Sequence, residues 1–422
     1  MADYIEHKFC MLLDEFPRYH EAYIPMRIED LEQAGYYLHI VSLQKPVVTE
    51  PHNSILRLRS RQTCLPMPIE SVPTALALCF LLVMIAPVKL FRATMRMFKF
   101  LFLTPWPLAT FSNYLQACRL VNQIIVHEEI TAFYGILQHD CMRTAIMATE
   151  FSPLPIIAQV RAPDLYSMRK EVLLRYMKEI KLIITETEDE LQYLQHFAAE
   201  MEMENPPLMF QCGNGIDPEE FNFHFPDSEI EVQPPFKIVA AGELHERKGF
   251  DTAINAIKIM RDKGFNCHLK IIGFGFELWK LKRLVKKLKL NDYVEFTGGI
   301  TRQALIAELE NAHLLLQPYR IPDDRNHDSR PFVLLEAMAA GVPVATTALP
   351  GVAEIAEHGE TATLFQPDDP IAAAEACIEV LTDPGLRDML IIKSRLLIEG
   401  KYNRRRCSAE LVDVLEAAGI ES

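Results

Sequence analysis

Asp328 and Glu336 stand eight positions apart in the run Asp328-Ser-Arg-Pro-Phe-Val-Leu-Leu-Glu336-Ala-Met-Ala-Ala-Gly-Val-Pro-Val-Ala345. The first acid falls in a polar loop with Asp323, Asp324, Arg325, Asn326 and His327. Pro331 suits the first turn of a helix, Glu336 falls in its early turns, and Gly341-Val-Pro343 ends it. One acid therefore precedes a helix N-terminus and the other lies just inside it. Free backbone N–H groups and the helix dipole hold anions at such a place, and carboxylates beside it can accept hydrogen bonds from sugar hydroxyls. The plainer alternative is an amphipathic helix with a solvated acid at each end.

The elements around these acids alternate strand and helix. Strands are expected at Phe9–Leu13, Tyr37–Ser42, Ile124–Val126, Leu154–Val160 and Leu182–Thr185, with a helix over Ile24–Ala34 and mostly helical or irregular chain over 44–120. Asn205 to Pro235 is dense in turn residues (Pro206-Pro207, Asn214-Gly215, Asp217-Pro218, Pro234-Pro235) and marks a linker. A second series follows, with strands at Phe236–Ala241, His268–Ile272, Tyr293–Phe296, Leu314–Leu316 and Val344–Thr347. Its helices fall at Asp251–Lys263, Leu278–Leu288, Arg302–Asn311, Ile371–Thr382 and Asn403–Ala418. This order predicts an α/β chain of two doubly wound parallel sheets. The expected divisions are a first domain over 1–213, a linker over 214–235, a second domain over 236–400, and a terminal helix over 401–422 packing back toward the first domain.

Ligands of parallel α/β sheets bind at the carboxyl ends of the strands. In the second series those loops are Gly242-Glu-Leu-His-Glu-Arg-Lys-Gly249, Gly273-Phe-Gly275, Gly298-Gly299 and 317–330. Glycine lets backbone approach a phosphate closely, and Lys248 can neutralise it.

Bulk composition narrows the classes. The chain has 422 residues, 49% hydrophobic and 24% charged, with a formal net charge of −14, which disfavours nucleic-acid binding. The nine cysteines are scattered without a Cys-x-x-Cys pair and read as reduced core residues, and no zinc site is visible. The acidic N-terminus carries no signal peptide pattern, so a cytoplasmic location is expected. Residues 74–102 are different: thirteen largely apolar residues precede a basic, aromatic run containing Lys89, Arg92, Arg96 and Lys99. Two readings stay open there: a helix lying on the anionic inner face of the membrane, or a buried core helix followed by an amphipathic one.

The motifs together resemble the retaining GT-B glycosyltransferases of family 4, especially the exopolysaccharide and colanic-acid branch. Asp328 through Val344 follows the family's acid, seven residues, Glu-Ala-Met-Ala-x-Gly-x-Pro-Val. Val239–Gly249 follows its strand with Gly-Arg-Leu and Lys-Gly. Ile271-Ile-Gly-Phe-Gly275, Val294-Glu-Phe-Thr-Gly298, Asn214-Gly-Ile-Asp217 and Phe16-Pro-Arg-Tyr-His-Glu-Ala-Tyr-Ile24 match further segments. The resemblance implies a GT-B fold, two Rossmann-like domains facing a central cleft. It also implies retaining transfer of a sugar from a UDP- or GDP-sugar to a glycan or lipid-linked acceptor, with neither cofactor nor metal.

By the same resemblance, Lys248 contacts the donor diphosphate, with Arg247, Gly242, Gly273 and Gly275 beside it. Glu336 holds the ribose hydroxyls, and Asp328 orients the donor sugar or supports the oxocarbenium-like state. Arg161 and Asp164 lie on the acceptor side, and Glu21 positions donor or acceptor. Three positions depart from the family pattern: Asp328 replaces a glutamate, Glu243 replaces the arginine of Gly-Arg-Leu, and Arg161-x-x-Asp164 replaces a histidine motif. An acid facing a diphosphate repels it. Either Glu243 turns away and Arg247 substitutes, or the chain is a catalytically impaired partner in a glycan assembly complex.

Overall fold

The computed structural model describes residues 7–17, 23–46, 55, 58–66, 72–102, 107–226, 232–322, 328 and 330–420. The chain divides into two compact units. The first comprises 1–186, 190–212 and 408–422, and the second 187–189 and 213–407.

The first unit holds seven strands: β1 Lys8–Glu15, β2 Tyr37–Gln44, β3 Arg61–Cys64, β4 Ile130–Ile136, β5 Ile156–Gln159, β6 Leu182–Thr185 and β7 Leu208–Gln211. They pair in parallel in the order β3-β2-β1-β4-β5-β6-β7. Phe9 to Leu13 of β1 are all buried, as a continuous apolar run in a sheet covered on both faces requires. The helix Arg404–Ala417 closes the chain, and its Leu411 and Leu415 pack in the same core cluster as Phe9, Ile28 and Leu38.

One expected strand is corrected. Val121–Ile125 is a π-helical turn that prolongs the helix Pro107–Leu120, and the strand begins later, at Ile130. Val121 and Ile124 face inward while Val126 is 68% exposed, a helical rhythm that a three-residue apolar run cannot reveal. The turn-rich passage after Asn205 also contains β7, whose short edge position leaves Leu208 exposed.

The second unit holds β8 Phe236–Ala241, β9 Cys267–Ile272, β10 Val294–Gly298, β11 Leu314–Gln317, β12 Val344–Thr347 and β13 Thr363–Phe365. Their parallel order β10-β9-β8-β11-β12-β13 is the doubly wound nucleotide-binding order, with its switch point between β8 and β11. At that point the Gln317 side-chain oxygen accepts the Ala241 N–H at 3.1 Å, tying the ends of the two strands together. Seven of the nine cysteines are buried; Cys64 is exposed and Cys79 half-buried.

Candidate functional site

In the second unit the loops that leave β8, β9 and β11 meet at the switch point. After β8, His245 Nδ1 accepts the Arg247 N–H at 3.3 Å and starts the short 3-10 turn Glu246–Lys248, after which Gly249 opens the helix Phe250–Asp262. The turn delivers Arg247 and Lys248 to the carboxylate of Asp328. Lys248 Nζ lies 3.0 Å from Asp328 Oδ2, and Arg247 Nε lies 3.5 Å from Oδ1. Arg247 Nη2 donates to Glu243 Oε2 at 3.0 Å. The acid in the family's arginine position is thus held by the arginine four residues on.

The lysine stem crosses Gly242, where a Cβ would lie 3.2 Å from Lys248 Cε. Gly273, the first residue beyond β9, has φ 137° and packs so closely that a Cβ would stand 1.9 Å from the Gly242 carbonyl oxygen. A Cβ on Gly275 would meet the Leu244 carbonyl oxygen at 2.5 Å. Gly273 and Gly275 therefore let the two loop backbones touch each other directly, and Gly242 gives the Lys248 stem its path.

Glu336 is the fifth residue of the helix Phe332–Ala339, for which Pro331 is the N-cap residue. It is buried at 5% exposure. Arg302 Nη1 donates to it at 2.7 Å and Arg302 Nη2 reaches Glu220 at 2.6 Å. Burial pushes the Glu336 carboxyl above the ordinary carboxylate range, and the Arg302 guanidinium opposes that shift. Tyr319 is within the electrostatic reach of both acids. Its ring lies 5.1 Å from Lys248 Nζ, and its phenol is held well above its usual range by burial, with Asp328 and Glu336 adding to the effect.

Arg161 and Asp164 belong to the first unit. Arg161 follows β5 and donates through Nε to Asp164 Oδ2 at 2.7 Å and through Nη1 to the Tyr23 hydroxyl at 3.1 Å. Gln138, just beyond β4, bridges this group to β1: its amide oxygen faces Arg161 and its nitrogen lies 2.6 Å from Asp14 Oδ2. The Cys141 thiol donates to the other Asp14 oxygen at 3.2 Å. These residues cluster at the carboxyl ends of β1, β4 and β5. Glu21 and His327 lie outside the described residues. His139 is 3.2 Å from the Tyr176 hydroxyl, and burial lowers its pKa. Among the described residues no group of histidine, cysteine and acidic side chains could hold a metal ion.

Arg302, Glu220, Tyr319, Gln138 and Asp14 join these networks without having been marked by any local motif. Arg302 and Glu336 are 34 residues apart, and no spacing rule connects them. Tyr319 alone left a trace, as the aromatic residue three positions beyond the Leu314–Leu316 apolar run.

Residues 223–396 match the family described as glycosyl transferases group 1. That match lies within the second unit and covers less than half of the chain. Among curated proteins it is similar to the amylovoran biosynthesis glycosyltransferase AmsK of Erwinia amylovora, 29% identical over 204 residues, 48% of this chain and 49% of that protein. It is also similar to the putative colanic acid biosynthesis glycosyltransferase WcaL of Escherichia coli strain K12, 29% identical over 185 residues, 43% and 45% of the two chains. The chain thus spans about half the length of these curated relatives. Among solved structures, Anabaena Alr3699/HepE in complex with UDP and glucose superposes with a TM-score of 0.71 at 14% identity, covering 98% of this chain and 100% of that one. The fold of the chain is accordingly GT-B, built from two Rossmann-like units.

Proposed function

We propose that this chain is a glycosyltransferase of polysaccharide biosynthesis. It moves a sugar from a nucleotide diphosphate donor to a glycan or lipid-linked acceptor with retention of configuration. The observation that carries the reading is the convergence of Lys248 and Arg247 on Asp328 at the β8–β11 switch point, over Gly273 and Gly275, which leave no room for a Cβ. Support comes from the relatives, named as amylovoran and colanic acid biosynthesis glycosyltransferases, and from a structural neighbour that holds UDP and glucose. Retention rests on the family resemblance.

In this reading the donor diphosphate is drawn to Lys248 and Arg247, whose charge offsets the negative charge that grows on the leaving group. Asp328, already in contact with both cations, then faces the donor sugar. Glu336, held by Arg302, accepts hydrogen bonds from the ribose. Glu243 is turned onto Arg247 at 3.0 Å, so it is itself neutralised and does not face an incoming phosphate as a lone charge. Arg161 cannot titrate near neutral pH, and with Asp164 it positions a polar or anionic acceptor.

A panel of UDP- and GDP-sugars screened by melting temperature, followed by product analysis with glycan and lipid-linked acceptors, tests the reading. At least one donor should raise the melting temperature and yield a product of unchanged anomeric configuration. If no donor stabilises the protein, the chain is the catalytically impaired partner instead.

A further inference from the structure

The helices Val72–Ile85 and Pro87–Leu101 of the first unit carry two apolar faces. On the second helix Leu90, Ala93, Met97 and Phe100 turn inward, at most 8% exposed. On its other side Val88, Phe91, Met95, Phe98 and the following Phe102 form a stripe at spacings of three and four residues, between 44% and 88% exposed. The preceding helix adds Phe80, Met84 and Ile85, each about 70% exposed. The sequence posed core and membrane surface as alternatives for this segment; the structure divides the second helix between a buried face and a bare one.

Charge identifies what covers the bare face. From Ser71 to His127 the chain has no aspartate or glutamate, although it carries 57 acids in all. The cations of the second helix divide by role. Arg96 is used internally, on Glu150 and on Glu179 at 2.7 Å, and Lys89 donates to the Phe151 carbonyl at 2.8 Å. Arg92 and Lys99 are exposed beside the stripe. Large apolar patches on soluble proteins mark contact surfaces. A second copy of this face would set like cations against each other, whereas anionic lipid headgroups attract them at about fivefold in affinity per basic residue.

The helices also lie rather than cross. The 14-residue helix is about 21 Å long at ~1.5 Å per residue, against a hydrocarbon core of ~30 Å. Among the described residues no helix is long and apolar enough to cross a membrane.

We propose that this face binds the surface of an anionic lipid bilayer, with the aromatic stripe entering the headgroup boundary and Arg92 and Lys99 facing the lipid phosphates. The proposal is independent of the transferase reading, because it is tested without any nucleotide sugar. The whole chain is floated with phosphatidylcholine vesicles containing or lacking phosphatidylglycerol, at low and high salt. It should float with the anionic vesicles and lose that binding in high salt. Phe91→Ser with Phe98→Ser should weaken partitioning at least about tenfold. Arg92→Gln with Lys99→Gln should weaken it by about tenfold or more at an unchanged melting temperature. The second pair keeps the test valid if the first impairs folding. Three results would overturn the proposal: no flotation, equal flotation with neutral vesicles, or a sedimenting dimer that Phe91→Ser dissolves while vesicles bind nothing.

Discussion

At the carboxyl ends of β8 and β9 the loops turn on glycine, and their backbones touch with no side chain between them. The charges above them are close-set: two adjacent cations on one carboxylate. At the carboxyl ends of β1, β4 and β5 the corresponding space is occupied by side chains, with Asp14, Gln138, Arg161, Asp164 and Tyr23 joined in one hydrogen-bonded group. Both units use the same doubly wound order, so topology does not account for the contrast. Backbone-lined loops hold a group that is the same in every donor, such as a diphosphate. Side-chain networks can change residue by residue and suit a partner that differs from one enzyme to the next. In the proposed reading the donor therefore binds the second unit and the acceptor the first.

The largest expected effects come from the acids. Asp328→Asn should lower turnover about 100-fold, on the scale of a lost transition-state contact, while the nucleoside diphosphate itself binds more tightly. The tighter binding follows because Lys248 and Arg247 lose the carboxylate they now face. Asp164→Asn should lower turnover about tenfold and leave nucleotide affinity unchanged. Steady-state kinetics paired with nucleotide titration separate the two. Loss of nucleotide affinity in Asp164→Asn would break the assignment of roles.

A smaller effect sharpens the backbone half of the comparison. Gly273→Ala places a Cβ 1.9 Å from a carbonyl oxygen at φ 137°, so the loops must part, and thermal unfolding should show a loss of about 3 kcal/mol. Gly264→Ala sits at φ 90° with no atom within 4 Å, so only the left-handed strain applies, about 1 kcal/mol. Equal losses would show that loop contact plays no special part.

The fold was largely legible in the sequence because both sheets are buried on both faces. Runs such as Phe9–Leu13 and Ile238–Ala241 are continuous apolar segments. The element at Ile124–Val126 was not legible, because a π-helical turn and a short strand share the same three apolar residues. In the candidate site, local motifs had singled out Lys248, Asp328, Glu336 and the glycines, and the fold brings Lys248, Asp328 and the glycines together. They missed Arg302, Glu220 and Tyr319, whose importance depends on which loops the sheet brings together. The same applies to Glu243: an acid in a cation's place looks like a defect until Arg247 is seen beside it. Exposure, too, is a tertiary property. The sequence of 74–102 shows that it is apolar and basic, and only the packed structure shows which face of the second helix remains bare.

The most direct measurement is the titration of UDP and GDP into the Lys248→Ala and Arg161→Ala proteins beside the unaltered chain. The account predicts that Lys248→Ala weakens the binding nucleotide about 10- to 100-fold, the worth of a charge-assisted contact, while Arg161→Ala changes it less than about twofold. If Arg161→Ala weakens the nucleotide as much as Lys248→Ala does, or if Lys248→Ala binds it like the unaltered protein, the assignment of the donor to the second unit is wrong.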